Sequence, residues 1–178
     1  MYELYHLALN EETDEKQELL FTISLVDDDP LFIMQMKDYL TSMKITDIRT
    51  YASGEEFLNA FKETEMNLVV CDFDFGSADR KNGLEVLEEI KKRNPQTPVI
   101  MLSAQDNIAV ALQTLKKGAV DYFIKGTQNA FTSVLTSILK INELQRMKKT
   151  EKDYITTLVA GSAGAIIIIA ILLYNLYK

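Results

Sequence analysis

Four strand-like segments in this chain each end on residues able to do chemistry. Asp27 and Asp28 follow 21–26, Asp72 follows 68–71, Ser103 follows 99–102 and Lys125 follows 120–124. Three carboxylates brought together repel one another unless a divalent cation sits among them, and all-oxygen ligation with room for water suits Mg²⁺. Such a cation and Lys125 would make a positive cup for phosphate. Asp72 then stands as the nucleophile toward an incoming phosphoryl group, with Ser103 donating a hydrogen bond. Singly, each residue has a plainer reading: Lys125 as a solvated lysine, Ser103 as a turn residue, 27–29 as a helix-capping cluster. Their joint order points to chemistry.

The elements that must position these residues follow from the pattern of apolar side chains. The run 68–71 shows no alternation, as in a strand buried on both faces of a parallel sheet. Asp72 then falls at the strand's exposed carboxyl end, where open α/β sheets hold their ligands. Pro30 suits a first helical position and Asp29 its cap, and Phe32, Met36, Tyr39 and Met43 share one face of the helix that follows. A second strand is expected over 45–51, then a helix opened by Ser53 and Glu56 as a capping box, with Phe57, Leu58 and Phe61 inward. A loop over 74–82 leads to a helix from Gly83 with Leu84, Leu87 and Ile90 inward, stopped by the prolines of 94–98. Strand 99–102, a helix carrying Ile108, Ala111, Leu112 and Leu115 to Gly118, and strand 120–124 come next. The last helix starts near Asn129, with Phe131, Val134, Leu135 and Ile138 inward. Strand and helix alternate five times, which predicts an α/β fold, a doubly wound five-stranded parallel sheet with right-handed crossovers. All four reactive strand ends then lie on one edge.

With 178 residues, 47% hydrophobic and 25% charged, the chain suffices for one domain and an appendage. The net charge of −7 argues against nucleic-acid binding, which needs a basic face to displace counterions. The single cysteine, Cys71, reads as an inert buried thiol. Residues 1–20 are acidic without a sustained period, and His6 is assigned no role. The run 155–173 carries no charge; at about 1.5 Å per residue it approaches the roughly 30 Å of a bilayer core and is expected to span a membrane. Tyr154, Tyr174 and Tyr177 flank it. Lys140, Arg146, Lys148, Lys149 and Lys152 precede it, which orients the amino side to the cytoplasm. Gly161 and Ala165 have a small-xxx-small spacing that could bring two such helices together as a homodimer.

The segments VDDDP, NLVVCD, GLEVLEEIKK, PVIMLSA and GAVDYFIKG, in this order, resemble the receiver domain of two-component response regulators. The resemblance implies a flavodoxin-like strand order, 2-1-3-4-5. It makes Asp72 the phosphoacceptor, with Asp27, Asp28, Asp72 and the backbone carbonyl of Asp74 holding Mg²⁺. Lys125 contacts the phosphoryl group, Ser103 is the hydroxyl switch residue and Tyr122 the switch aromatic. The partner it implies is a histidine kinase or phosphotransfer protein in a phosphorelay. The protein would be a phosphoacceptor switch that assists its own phosphotransfer and dephosphorylation, not an enzyme.

The expected division is an acidic leader at 1–20, a receiver at 21–144, a basic helical stalk at 145–153 and a transmembrane anchor and tail at 154–178. That places the protein at the cell membrane, single-pass, with the receiver on the cytoplasmic side. Two departures from the family pattern stand out. Gly76 replaces the usual proline in a loop about three residues longer by alignment, which bears on kinase docking near Arg80 and Lys81. Gly126 replaces the proline after the lysine, from which a trans link and a shifted Lys125 are expected. Two other readings compete. One is a degenerate receiver that binds partners without being phosphorylated. The other is a haloacid-dehalogenase-like phosphatase built on Asp72-Phe73-Asp74, whose metal acids should lie downstream of the lysine.

Overall fold

The computed structural model describes residues 19–76, 81–104 and 106–177, without the side chains of 163–171, 175 and 176. Among the described residues five strands, β1 (Thr22–Val26), β2 (Ile48–Tyr51), β3 (Asn67–Asp72), β4 (Val99–Ser103) and β5 (Asp121–Ile124), alternate with five helices. The helices are α1 (Pro30–Ser42), α2 (Gly54–Ala60), α3 (Gly83–Arg93), α4 (Ile108–Lys116) and α5 (Ala130–Leu176). All strand pairs are parallel and the order is β2-β1-β3-β4-β5. This is the doubly wound, flavodoxin-like sheet expected from the alternation.

β3 is the axis of the sheet because its centre, 68–71, is an unbroken apolar run. Every one of its positions is buried, and full burial of side chains such as Leu68 and Val69 contributes about 1.5–3 kcal/mol each. Val86, Leu87 and Ile90 from α3 and Phe57, Leu58 and Phe61 from α2 and its cap close over it. Phe75, in the loop after β3, joins the same core at 2% exposure.

Helix ends follow local chemistry. Asp29 caps α1, its Oδ1 accepting from the N–H groups of Leu31 at 2.9 Å and Phe32 at 3.3 Å. Ser53 caps α2 through Glu56 N–H at 3.1 Å, but the Glu56 carboxylate reaches back to Ala52 N–H at 2.8 Å instead of to the cap itself. The reciprocal capping box is at α3, between Asn82 and Glu85. α1 closes with Lys44 in the left-handed region at φ 63. Lys44 N–H bonds to Thr41 O and Ile45 N–H to Leu40 O, so Ile45 is buried as the helix's closing contact and β2 starts only at Ile48.

The chain divides into two units, Met1–Leu139 and Lys140–Lys178. The second consists of the later turns of α5. The membrane span expected over 155–173 is not borne out: among the described residues no helix is long and apolar enough to cross a membrane. In the described stretch 155–162, Ile155, Leu158 and Val159 are interspersed with Thr156, Thr157, Gly161 and Ser162. The hydroxyls of Thr156, Thr157 and Ser162 bond to carbonyls of their own helix. The single-pass membrane localisation that depended on the span falls with it. The side chain of Ala165, half of the proposed dimer motif, lies outside those described, as do residues 1–18 with His6, and Arg80 in the loop after Asp72.

Candidate functional site

The sheet register brings the reactive strand ends together. Val26 pairs with Cys71, Asp72 with Leu102, and Ser103 with Ile124, so Asp27, Asp72, Ser103 and Lys125 leave the sheet along one edge. Lys125 N–H bonds to Ser103 O at 2.7 Å and Phe73 N–H to Leu102 O at 2.8 Å, which extends the ladder to the last residues before the loops.

The three aspartates after β1 have separate tasks. Asp29 is spent on the helix cap. Asp27 is 3% exposed, and its Oδ1 accepts Asp29 N–H at 3.0 Å, which turns its Oδ2 into the site. That Oδ2 pairs with the Lys125 ammonium at 2.6 Å. Asp28 is exposed, yet Asp27, Asp28 and Asp72 each offer a carboxylate oxygen within 4.8 Å of one another. Asp72 is 5% exposed, with its Oδ1 held by Phe73 N–H at 2.8 Å and its Oδ2 paired with Lys125 Nζ at 2.8 Å. Lys125 also stands over the ring of Phe32, 4.7 Å from its centroid.

The position of Asp72 depends on Gly83. A Cβ there would lie 2.0 Å from the Asp72 carbonyl oxygen and 2.8 Å from the Phe73 α-carbon. The first turn of α3 can approach the end of β3 only because that atom is missing.

Burial sets the electrostatics. Desolvation pushes the Asp72 carboxyl up to about 6, against the lowering pull of Lys125. Asp27 is raised for the same first reason, again with Lys125 opposing. For Lys125, desolvation acts downward, but the two carboxylates outweigh it and its ammonium is held above the ordinary range. Burial pushes the Cys71 thiol up, away from thiolate chemistry.

The remaining candidates are placed as follows. Ser103 is 4% exposed at the end of β4. Tyr122, on β5, packs partly buried against the core. The Asp74 side chain is exposed and accepts Gly76 N–H at 3.1 Å. Lys81 N–H bonds to Glu55 Oε1 at 2.8 Å, tying the return of the loop to α2. Gly126 has φ +78 and Gly76 φ +64, values closed to proline, whose ring fixes φ near −65°. The two departures from the family pattern are thus positions with a different backbone. The expected displacement of Lys125 does not follow, since its ammonium still reaches both carboxylates. Sequence reasoning missed Phe75, Phe32 as a partner of Lys125, and the Asn82–Glu85 box; only the last had a local signal, Asn-x-x-Glu before a glycine and an apolar run.

A parallel sheet in this order, with three carboxylates and a lysine at its carboxyl edge, defines a class of α/β proteins with an acidic pocket suited to a cation and a phosphoryl group. Within it the chain matches one family model, response regulator receiver domain, over residues 23–136, and it belongs to that family. This sets aside the phosphatase reading of Asp72-Phe73-Asp74. Among curated relatives, the probable C4-dicarboxylate response regulator DctR of Bacillus subtilis is 34% identical over 104 residues, 58% of this chain and 45% of that one. The transcriptional regulatory protein ZraR of Klebsiella oxytoca is 38% identical over 73 residues, 41% of this chain and 16% of that one. The chain thus spans less than half the length of these relatives. Among solved structures, the receiver domain of NtrX from Brucella abortus has a TM-score of 0.58 at 28% identity, covering 66% of this chain and 98% of that one. The BeF3-activated receiver domain of DrrB, a Thermotoga maritima protein, has a TM-score of 0.56 at 27% identity, covering 68% and 99%.

Proposed function

We propose that this protein is a phosphorylation switch that accepts a phosphoryl group on Asp72 from the phosphohistidine of a histidine kinase or phosphotransfer protein. The observation that supports this most is the Lys125 ammonium seated between Asp27 and Asp72, 2.6 and 2.8 Å from their oxygens. In that place it can neutralise charge on a phosphoryl group that arrives at Asp72. With a carboxyl raised to about 6, Asp72 is mainly ionised at neutral pH, as attack requires. A carboxylate oxygen of Asp72 forms a bond to phosphorus while the phosphorus–nitrogen bond of the donor breaks, and the electron pair returns to the imidazole. The product is an acyl phosphate. Asp72 no longer carries a carboxylate charge of its own, and Lys125 is left to pair with the phosphoryl oxygens while the Ser103 hydroxyl donates to one of them.

The acid cluster fits a hard cation. Its donors are all oxygen, and each of the three carboxylates offers an oxygen within 4.8 Å of the others. Asp27, Asp28 and Asp72, with the backbone carbonyl of Asp74, would hold Mg²⁺, which supplies charge neutralisation at the phosphoryl oxygens. Ser103, at the end of β4, and Tyr122, on the adjacent β5 in register with Met101, are the residues through which the phosphorylated state would reach the outer surface of β5.

All the residue types needed for acceptance are assembled, which weighs against a module that binds partners without being phosphorylated. The transcriptional roles in the relatives' names belong to proteins of which this chain spans 45% and 16%, and are not carried over. The test is uptake of phosphate from a small acyl phosphate, with and without Mg²⁺, by the wild-type chain and Asp72→Asn. Uptake confined to wild type with Mg²⁺ supports the reading; uptake by Asp72→Asn overturns it.

A further inference from the structure

Lys125 is held by three groups, and only one of them carries no charge. Two are the carboxylates of Asp27 and Asp72, at 2.6 and 2.8 Å. The third is the face of Phe32, whose centroid lies 4.7 Å from Nζ, well inside the range of a cation–π contact. The lysine side chain is 15% exposed, so this contact is largely shielded from water and falls in the stronger part of that interaction's range.

The backbone of Lys125 is tied to β4 through its N–H on Ser103 O at 2.7 Å, but the chain that follows is open on one side. Gly126 follows it at φ +78, and no atom lies within 4 Å of where its Cβ would stand. The ring, in contrast, is braced. Phe32 meets Phe131 edge to face, with centroids 5.5 Å apart and planes at 79°. Phe131 in turn packs on Tyr39 at 5.7 Å, and the Tyr39 hydroxyl lies 3.4 Å from Thr132 Oγ1. Phe32 and Tyr39 are two turns apart on one face of α1, and Phe131 and Thr132 open α5. Three rings in series thus run from the ammonium to the first turn of α5.

We propose that Phe32 is a positioning residue for Lys125, keeping the ammonium directed at the phosphoryl pocket when Asp27 and Asp72 are engaged elsewhere. The physical reason is competition. Both carboxylates are also candidate cation ligands and one is the proposed acceptor, so their hold on Lys125 weakens as soon as they are used. The face of the ring competes for neither cation nor phosphoryl group. A lysine that lost both ion pairs without it would have a long flexible stem, rotamer entropy to gain and water nearby. This inference rests on the phosphoacceptor reading and adds to it a residue that touches neither phosphate nor metal.

The test compares the full-length wild type with Phe32→Leu, which keeps apolar bulk but removes the ring, and with Phe32→Tyr, which restores it. Beryllofluoride serves as the phosphoryl probe in saturating Mg²⁺, with titration calorimetry as readout and Mg²⁺ affinity measured separately. The ε-methylene proton shifts of Lys125 are recorded by NMR without metal or probe. The expected result is upfield ε-methylene signals in wild type and Phe32→Tyr, lost in Phe32→Leu. Beryllofluoride affinity should fall about three- to tenfold in Phe32→Leu, with Mg²⁺ affinity within about twofold and recovery in Phe32→Tyr. Unchanged beryllofluoride affinity in Phe32→Leu, or equal loss of Mg²⁺ and beryllofluoride affinity without recovery in Phe32→Tyr, overturns the role of Phe32 and leaves Asp72 as acceptor. Failure of wild type to bind beryllofluoride overturns the acceptor reading itself, and the role of Phe32 with it.

Discussion

Gly83 lies beneath Asp72 so closely that a Cβ on it would stand 2.0 Å from the Asp72 carbonyl oxygen. Gly83 N–H also donates to Phe73 O at 2.8 Å, so the start of α3 is bound to the residue that follows the acceptor. Gly83→Ala forces these backbones apart. The expected cost is about 2–3 kcal/mol in urea unfolding, the range for an overpacked interior position. A variant as stable as wild type would show that the contact is looser than the geometry states.

The raised Asp72 carboxyl predicts a pH-dependent stability of definite sign. Its folded value, about 6, lies above the ordinary 3.8, so the folded state binds this proton more tightly than the unfolded chain. Ionised Asp72 therefore costs stability. That cost is absent below about pH 3.8, grows between there and 6, and is complete above 6. In the presence of a chelator, Asp72→Asn is expected to stabilise the protein at pH 7 by on the order of 1–3 kcal/mol, since each pKa unit is worth about 1.4 kcal/mol. Asparagine keeps an acceptor for Phe73 N–H. The gain should vanish on titration toward pH 4. Destabilisation by Asp72→Asn at pH 7, followed by thermal melts across the pH range, would mean that the pairing with Lys125 outweighs burial.

Gly126 allows the chain to leave Lys125 at φ +78. Gly126→Pro would impose a φ near −65° and swing the lysine off its carboxylates. Phosphoryl uptake from an acyl phosphate is expected to slow about ten- to hundredfold, the usual consequence of misplacing a reacting group by an ångström. Gly126→Ala meets no atom within 4 Å, so it should cost about 1–2 kcal/mol of stability for the left-handed conformation and leave the rate nearly intact. Initial rates for the two variants side by side check this. Equal rates in Gly126→Pro and wild type would contradict it.

The sheet could be read from the chain because strand and helix patterns alternate along it, and 68–71, an unbroken apolar run ending in Asp72, could hardly be anything but the central strand. The site was legible for the same reason. In a parallel sheet the strand ends converge whatever their separation in sequence, so Asp27, Asp72, Ser103 and Lys125 could be brought together before any geometry was known. Phe75 was not legible, being one apolar residue in a loop without a period, and its burial is decided by the space left between α2 and α3. Nor was the contact between Phe32 and Lys125, since helical spacing gives the face of Phe32 but not what lies across from it. Ile45 was misread as strand because its apolar character serves the closure of α1. The span over 155–173 was expected from its length and lack of charge, whereas among the described residues no helix is long and apolar enough to cross a membrane, and its first turns carry Thr156, Thr157, Gly161 and Ser162 among the apolar side chains.

The central claim is that Asp72 is the residue that takes the phosphoryl group. Hydride reduction converts an aspartyl phosphate to homoserine, so peptide mass spectrometry after borohydride treatment names the acceptor directly. With an acyl phosphate and Mg²⁺ both present, the expected result is homoserine at position 72 and aspartate at 27, 28 and 74, with no conversion when either component is omitted. Homoserine at 27, 28 or 74, or none at 72 under conditions where the protein has taken up phosphate, would contradict it.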